Sequence, residues 1–376
     1  MRNRWLLLSL ILSGCGTIPG PRISPAAEVI LTLRPGAEEP RLGTVLNRFE
    51  MGKSFRVLKL PEGMSPEAGV ETLSKDPGVE CVRANRFLPK GGQPNDPLFS
   101  LQWGFERIEP QPCWDRLIDG SKVLVAVLDT GVDYDHPDLA GRVVKGYNFA
   151  DGNTEVKDHD GHGTHVAGII GASGNNHQGV CGILWNVNLL AIKVLNEQGG
   201  TDANALAGLK YAVDNGAKVI NLSFNSKDTA VNPLYQTAID YARSHGALVV
   251  AAAGNDGGEV TYPANTPGCI AVSATGKYRR WEWLAPFSNR GTCVSLSAPG
   301  AGILSTVPGG KYETYSGTSM AAPFVSGAAA TLMALHPDWT LEQIEQRLRQ
   351  ATDDLGDAGK DPLYGYGRIN LSKLLD

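Results

Sequence analysis

The chain has 376 residues, of which 42% are hydrophobic and 19% are charged, and its formal net charge is −5. These values are typical of a globular protein with room for one large domain and a smaller one. The acidic balance, with no run rich in lysine and arginine, gives no electrostatic reason to expect nucleic acid as a partner.

The first segment has the pattern of a targeting signal. Arg2 and Arg4 precede an apolar run that ends at Leu12, shorter than the about 20 apolar residues of a bilayer span. The letters LSGC, which end at Cys15, resemble the lipobox of bacterial lipoproteins, whose cysteine is lipidated and becomes the new N-terminus. We therefore predict a lipoprotein signal peptide over 1–14, lipidation of Cys15 and an extracytoplasmic protein anchored at the membrane. An ordinary secretory signal with an incidental cysteine is the alternative.

A proline-rich linker over 15–27 leads into a small α+β pattern over 28–90. EVILTLRPG, FRVLKLP and PGVECVRAN have the composition of strands, and SPEAGVETLSKD begins a helix with Ser65 as its N-cap. The letters PKGGQPNDP that follow are rich in glycine, proline and polar residues. They predict a processing linker over 91–95 and a domain boundary.

Over 96–376, apolar stretches of strand length alternate with helical patterns such as DANALAGLKYAVDNG, which ends at a glycine. Strands that are apolar on both faces predict an α/β fold, with a doubly wound, mostly parallel sheet and helices on both faces. In such sheets the functional residues lie at the carboxyl ends of the strands.

Four polar residues of catalytic type lie where the loops of such a fold would converge. Asp129 follows the strand KVLVAVLD, Asn255 follows ALVVAAAG, and His162 and Ser319 each begin a helical pattern. Each one alone is explained as well by a structural role, in a turn or at a helix start, as by a catalytic role. A structural role does not explain all four together, because Asp, His and Ser follow one another in the chain order of the subtilisin triad. A serine hydroxyl needs a base to become a nucleophile, and the base needs an orienting group.

The motifs DTGVD, HGTHVAG, AAGN and GTSMAAP, with the closing YGYGRIN, resemble the signature segments of the subtilisin-like serine proteases over nearly all of 96–375. The resemblance implies a serine endopeptidase acting on proteins or peptides. In it Ser319 attacks the peptide carbonyl, His162 takes and returns the proton, Asp129 orients the imidazole and Asn255 holds the oxyanion. A catalytically silent binding module and an esterase of the same fold are the rivals.

The resemblance also places one wall of the substrate cleft at Ser223, Phe224 and Asn225, with Gly254 as a further substrate-binding residue. This chain reads SFNS where the family often reads SLGG, so the shape of the subsites stays open. A second departure is Phe324, where many relatives have histidine; inside the helix we expect it to affect packing rather than chemistry.

Many of these proteases hold a structural calcium ion, and the resemblance implies one here. The matching side chains are Asp96, Asp138 and Asn176, completed by the backbone carbonyls of Ser173, Gln178 and Val180. Oxygen ligands of this kind suit Ca²⁺, and a polar loop without an ion is the alternative. His162 and His165 could also be read as a metal pair, but with no HExxH motif and no obvious third ligand we expect His165 to pack in the core.

The segment LSKDPGVECVRANRF resembles the propeptide of these enzymes, so unit 28–90 is expected to be a ferredoxin-like α+β domain that assists folding and then inhibits the protease. The protein is accordingly expected to be a monomeric, self-processing zymogen. Because Cys15 precedes this unit, cleavage in LPKGGQPN would detach the catalytic domain from its anchor and release it to the periplasm or medium.

Five cysteines remain besides Cys15, so at least one is unpaired. Cys269 and Cys293 flank neighbouring predicted strands, and the sequence leaves open whether they pair.

Overall fold

The computed structural model describes residues 28–85 and 93–375. The predicted signal peptide 1–14, Cys15, the linker 15–27 and residues 91–92 of the predicted processing linker lie outside the described residues. The chain divides into two compact units, one ending at Lys90 and one beginning at Gly91. Each is described by itself.

The first unit is an antiparallel sheet with one helix. Its elements are β1 (Glu28–Leu33), β2 (Thr44–Glu50), β3 (Ser54–Lys59), α1 (Pro66–Leu73) and β4 (Val79–Ala84). The strand order β2-β3-β1-β4, antiparallel throughout, is that of the ferredoxin-like fold. A turn segment between β1 and β2 replaces one of the two helices of that fold. The predicted N-cap is present, since Ser65 Oγ accepts a hydrogen bond from the backbone N–H of Ala68 at 3.2 Å.

The second unit alternates helices and strands. Its helices are α2 (Trp103–Ile108), α3 (Gln111–Asp115), α4 (His162–Gly171), α5 (Asp202–Asp214), α6 (Pro233–Ser244), α7 (Thr318–Leu335) and α8 (Leu341–Gln350), with 3₁₀ turns at Phe99–Leu101 and Leu371–Leu375. Its strands are β5 (Leu124–Asp129), β6 (Val143–Asn148), β7 (Asn188–Lys193), β8 (Leu195–Asn196), β9 (Gly199–Gly200), β10 (Val219–Leu222), β11 (Leu248–Ala252), β12 (Cys269–Tyr278), β13 (Trp281–Leu284), β14 (Val294–Pro299), β15 (Ile303–Val307), β16 (Lys311–Tyr315), β17 (Thr352–Asp353) and β18 (Arg368–Ile369).

Within 93–375, one sheet organises this unit. Its strand order is β17-β18-β14-β12-β11-β10-β5-β7-β6, and β13 pairs with β12 as an extra antiparallel strand. The central pairs from β14 to β6 are parallel, so the predicted doubly wound α/β fold is confirmed. Parallel strands place their carboxyl ends at one edge, which brings the ends of β5, β10 and β11 together.

The sheet separates two apolar cores. Val125 and Val127 of β5 face a core shared with α4 and α7, whereas Ala126 and Leu128 face a core shared with α5 and α6. This alternation is the period of two that a strand imposes on its side chains. Helix α7 is apolar enough to cross a bilayer by composition, but 83% of it is buried, so it is the central helix of the first core.

All five described cysteines are free thiols. Cys269 begins β12 and Cys293 immediately precedes the neighbouring β14, as the sequence indicated, yet no disulfide joins them.

Candidate active site

Asp129 and His162 form a hydrogen-bonded pair at the carboxyl edge of the sheet. Asp129 is the last residue of β5 and is fully buried, and His162 is the first residue of α4. The imidazole Nδ1–H donates to Asp129 Oδ1 at 2.7 Å, so the lone pair lies on Nε2. Burial lowers the pKa of His162, but the charge and hydrogen bond of Asp129, with the charges of Asp160 and Asp158, outweigh it and leave the pKa raised.

A second buried carboxylate, Asp158, holds the start of α4. Its Oδ2 accepts hydrogen bonds from the backbone N–H of Thr164 at 2.9 Å and from the Thr164 hydroxyl at 2.6 Å. Its Oδ1 accepts from the Gly161 N–H at 3.0 Å and from the Thr130 hydroxyl at 2.9 Å. Burial is the main cause of its raised pKa. Sequence reasoning missed Asp158, although an aspartate four residues before a helix-start histidine is the type of residue that binds free helix N–H groups.

Ser319 is the second residue of α7 and is 9% exposed. Its hydroxyl donates to the backbone carbonyl of Ser223 at 2.9 Å. In the described part of the chain no hydrogen bond joins this hydroxyl to His162, whose Nε2 has no hydrogen-bond partner there. The structure therefore places Ser319 at the same edge of the sheet as the Asp129–His162 pair, with its hydroxyl proton directed to the residue that follows β10.

A buried chain of hydrogen-bonded polar side chains ends on the backbone carbonyl of Ser319. The Ser326 hydroxyl donates to Asn221 Oδ1 at 2.8 Å, and Asn221 Nδ2 donates to Ser223 Oγ at 2.8 Å. The Ser223 hydroxyl in turn donates to the carbonyl of Ser319 at 2.8 Å. Sequence reasoning did not identify Asn221 or Ser326, because each lies within an otherwise apolar segment that predicts only core packing.

Asn255 lies just beyond β11, and its amide has one fixed end. Its Oδ1 accepts hydrogen bonds from the backbone N–H of Thr318 at 2.8 Å and from the Thr318 hydroxyl at 2.9 Å. With Oδ1 held, the Nδ2 donor is the free end of an exposed side chain. It lies on the Gly317 side, because a Cβ added to Gly317 would be 3.4 Å from Nδ2 and 3.6 Å from the backbone N of Ser319.

The predicted cleft residues lie beside one another. A Cβ added to Gly254 would lie 3.3 Å from Asn225 Nδ2, and Gly254 has a φ of +110° that a larger residue would adopt only under strain. Asn225 Nδ2 donates to the carbonyl of Ser226 at 2.7 Å and to the Thr261 hydroxyl at 3.2 Å. The backbone of Asn225 is not in the positive-φ region, so its conformation does not require the glycine that the family often has. Phe224 is half-buried against the core formed with α5 and α6.

Phe324 and His165 are core residues. Phe324 is fully buried, with its ring centroid 5.3 Å from that of Phe105 and its tip against Gly104, so it fixes α2 on α7. The His165 ring stacks on Tyr315 at 4.5 Å, and its Nε2–H donates to the carbonyls of Ile303 and Glu313. Burial lowers the pKa of His165 to about 4. The structure thus places His165 in the core, as expected.

The side chains of the predicted calcium site lie together. Asp96 Oδ2 accepts a hydrogen bond from the backbone N–H of Asn175 at 2.7 Å, whereas its Oδ1 is buried without a partner. Asp138 accepts from Asn176 Nδ2 at 2.8 Å and from the Val180 N–H at 3.0 Å. Burial and the charge of Asp138 raise the pKa of Asp96. In residues 93–375, none of the hydrogen bonds ends on the carbonyl oxygens of Ser173, Gln178 and Val180.

This donor set fits a calcium ion better than a transition metal. It contains oxygen donors, an orphaned buried carboxylate oxygen and two adjacent negative charges that favour a cation. Among the described residues no group of three or more His, Cys, Asp or Glu could hold a metal, so the amide and carbonyl oxygens would be needed as ligands.

Comparison with known proteins gives the family that the sequence motifs resemble. The profile of the subtilase family, Peptidase S8, matches residues 120–367. The chain is 42% identical over 319 residues to the thermophilic serine proteinase of Bacillus sp. strain AK1, covering 84% of this chain and 77% of that protein. It is 40% identical over 283 residues to thermitase of Thermoactinomyces vulgaris, covering 74% of this chain and 98% of that protein. A solved protease structure from Pseudoalteromonas arctica superposes with a TM-score of 0.69 at 30% identity, covering 76% of this chain and 99% of the other.

These likenesses and the fold define a serine endopeptidase, an enzyme that hydrolyses peptide bonds in proteins. The chain belongs to the subtilase family.

Proposed function

We propose that Ser319, His162 and Asp129 carry out the peptide hydrolysis. The observation that carries this proposal is the 2.7 Å hydrogen bond between His162 Nδ1 and the fully buried Asp129. It leaves a basic Nε2 with no hydrogen-bond partner in the described residues, and α4, which His162 begins, packs against α7, which carries Ser319 in its first turn. A base held in one tautomer by a buried carboxylate is the arrangement that activates a serine.

The reaction begins with a rotation of the Ser319 hydroxyl from the Ser223 carbonyl to His162 Nε2. As Ser319 Oγ bonds to the substrate carbonyl carbon, its proton passes to Nε2 and the carbonyl electron pair moves to oxygen. Collapse of this intermediate breaks the C–N bond, and the leaving amine takes the proton from Nε2. A water molecule then attacks the acyl-enzyme and gives its proton to Nε2. Collapse of the second intermediate breaks the bond to Ser319 Oγ, which takes the proton from Nε2, and releases the carboxylic acid.

The negative oxygen of the intermediate has two donors available. Asn255 Nδ2 is free because Thr318 holds the other end of the amide. The backbone N–H of Ser319 donates no hydrogen bond within the described residues. Donors that are fixed before the reaction stabilise the charge without reorganisation, which is why such groups contribute strongly to catalysis.

The polypeptide substrate is proposed to bind along residues 223–225. Gly254 lies beside Asn225 at one end of this segment, since a Cβ added to Gly254 would be 3.3 Å from Asn225 Nδ2. The carbonyl of Ser223 accepts the Ser319 hydroxyl in the free enzyme. Phe224 and Asn225 are only half-buried, so they remain available to the substrate.

A serine-directed fluorophosphonate tests the nucleophile. We expect labelling of the wild-type chain and of a Ser244→Ala control on the surface of α6, and none of Ser319→Ala. Labelling of Ser319→Ala, or none of the wild type, would contradict the assignment. Matched peptide and ester substrates then distinguish an endopeptidase from an esterase, and inactivity on both indicates a silent binding module.

We further propose that Asp96, Asp138 and Asn176, with the three backbone carbonyls, hold a structural calcium ion. The ion would neutralise the two carboxylates and bring the loop 173–180 to residue 96. Calcium should raise the melting temperature of Ser319→Ala, and Asp138→Asn should abolish that rise, whereas Asp228→Asn in a surface loop should retain it. An unchanged melting temperature on chelation would exclude this site.

The first unit is proposed to be a propeptide, and Cys15 a lipid anchor on an extracytoplasmic zymogen. The position of Cys15 before the small unit and the separation of the two units after Lys90 support this. Self-cleavage near residues 88–95 would then free the protease from the membrane. Wild type should give a shortened soluble protease, and Ser319→Ala a full-length membrane-bound chain. If both chains stay full length and equally membrane-bound, self-release does not occur.

A further inference from the structure

The hairpin formed by β12 and β13 carries an exposed aromatic face. In its register Tyr278 lies opposite Trp281, and Trp283 lies opposite Gly276, so the three aromatic side chains point to the same side. Tyr278 is 61% exposed, Trp281 63% and Trp283 38%. The rings of Tyr278 and Trp283 are 6.5 Å apart, so they form one surface.

The opposite face of the hairpin carries Thr275, Lys277 and Glu282 with the half-buried Leu284, and its charged side chains pair with the body of the unit. Lys277 forms an ion pair with Glu106 of α2, and Glu282 forms one with Arg368 of β18. The Thr275 hydroxyl also donates to Glu282 at 2.6 Å. A hairpin with one solvated face ordinarily turns its apolar face inward. Here three aromatic side chains lie on the solvated face, and the inward ion pairs fix the register that keeps them outside.

Two arginines form the turn between the strands. The Arg279 guanidinium lies 5.5 Å from the Tyr278 ring centroid, and that of Arg280 lies 5.1 Å from the Trp281 ring centroid. Both arginines are exposed, and neither has a carboxylate partner in the described residues. On a chain of net charge −5, the hairpin tip is therefore a local site of uncompensated positive charge next to aromatic rings.

We propose that this aromatic–arginine surface, made of Tyr278, Arg279, Arg280, Trp281 and Trp283, binds the surface of an anionic lipid bilayer. Tryptophan and tyrosine favour the boundary between headgroups and acyl chains, because one end of each ring is apolar and the other is polar. Arginine binds phosphate through paired hydrogen bonds, and basic residues near an anionic leaflet are attracted electrostatically.

Size and charge favour a bilayer over a protein partner. Given their exposed fractions, the three aromatic side chains offer about 240–400 Å² for burial, less than the about 800 Å² that one partner contributes to a standard protein interface. A weak membrane contact needs no such area, because insertion of a few rings and electrostatic attraction suffice for reversible binding. The surface shares no residue with the proposed catalytic set, so the inference does not depend on the proposed mechanism.

The test uses residues 16–376 with Ser319→Ala, which removes the targeting segment, the lipid and self-digestion. We expect this chain to sediment with vesicles of phosphatidylcholine and phosphatidylglycerol more strongly than with pure phosphatidylcholine, and less strongly as salt is raised. Arg279→Gln/Arg280→Gln should weaken binding to the anionic vesicles by roughly 30-fold. Tyr278→Ser/Trp281→Ser/Trp283→Ser should weaken binding to both vesicle types and abolish the blue shift of tryptophan fluorescence on binding.

Matched control variants remove positive charges or an apolar side chain from surfaces outside the hairpin. Lys122→Gln/Lys218→Gln removes two exposed positive charges, and Leu234→Ser removes an apolar side chain that is 60% exposed on α6. Both should bind like the parent, and melting curves check that every variant is folded. Equal binding by parent, arginine and aromatic variants would overturn the proposal. So would failure of the folded parent to bind anionic vesicles, including the case in which it binds a soluble acidic polymer or protein instead.

Discussion

Thr318 holds Asn255 by two hydrogen bonds to the same oxygen, one from its backbone N–H and one from its hydroxyl. The hydroxyl also accepts a hydrogen bond from the backbone N–H of Gly254 at 3.1 Å. One side chain therefore connects the start of α7 with the loop that carries the proposed oxyanion donor.

Asn255→Ala is expected to lower kcat by about 10²–10³-fold, because it removes a transition-state donor. Thr318→Val keeps the shape but loses the hydroxyl, and should lower kcat by about tenfold with little change in KM, as expected for one hydrogen bond. In the Asn255→Ala background Thr318→Val should have a smaller effect, because the amide it orients is gone. Thr331→Val, farther along the same helix, is the control. Equal effects of Thr318→Val in both backgrounds would show that Thr318 acts by another route.

Asp129→Asn should lower kcat by about 10⁴-fold, because the amide no longer selects the reactive imidazole tautomer. It should also move the acid limb of the kcat/KM profile to lower pH, since the charge of Asp129 raises the pKa of His162. In the wild type, the raised pKa of His162 also increases the free energy of unfolding. This contribution is fully present below pH 6.5 and is lost as the pH rises through the pKa of His162 in the folded state. Asp160→Asn, which removes a weaker contribution to the same pKa, should give a smaller shift without the large loss of kcat. An unmoved acid limb in Asp129→Asn would mean that another group titrates there.

His165 should make the fold sensitive to acid. Its pKa is about 4 in the folded state and about 6.5 in the unfolded chain, so the unfolded state binds more protons between these values. Stability attributable to this residue is therefore complete above pH 6.5 and decreases toward pH 4, by about 2–3 kcal/mol at pH 4.5. Urea unfolding of Ser319→Ala at pH 7 and 4.5, compared with the same chain carrying His165→Gln, isolates the contribution of His165 to the pH dependence of the free energy of unfolding. Glutamine can still donate to the carbonyls of Ile303 and Glu313 but does not titrate. A difference between the two pH values that is the same in both chains would refute the assignment.

Asn225→Gly should open the proposed cleft at some cost in stability. It removes two hydrogen bonds and adds backbone freedom, and should lower the free energy of unfolding by about 1–2 kcal/mol. Loss of the amide beside Gly254 should raise kcat/KM for peptides with a large side chain before the cut, relative to those with alanine there. Asn215→Gly, at the end of α5, controls for the change in backbone entropy. A cleavage profile that does not change would place the specificity elsewhere.

Much of the fold and site could be predicted from the sequence, because local rules and tertiary structure agree there. Asp129 follows an apolar strand in a parallel sheet, and the strand-end rule places it at the edge where His162 begins a helix. The rotation of the Ser319 hydroxyl toward Ser223 could not be predicted, because it depends on a rotamer and on which carbonyl lies nearest. Asn221 was missed because a single polar residue in the strand VINL gives no periodic signal.

The hairpin shows a second limit. The residues KYRRWEWL alternate in the manner of a strand, but alternation does not tell which face is buried. That choice depends on Glu106 and Arg368, which lie far away in the chain and form the ion pairs that turn the polar face inward.

The boundary between Lys90 and Gly91 separates two different modes of attachment. The proposed lipid would be joined covalently to the first unit, whereas the aromatic–arginine surface belongs to the second and is proposed to bind reversibly. If both proposals hold, a single cut at this boundary does not simply turn a bound enzyme into a soluble one. It replaces a protease confined to one membrane with one that exchanges between surfaces, so the area it searches for substrates is set by its residence time and the local salt concentration.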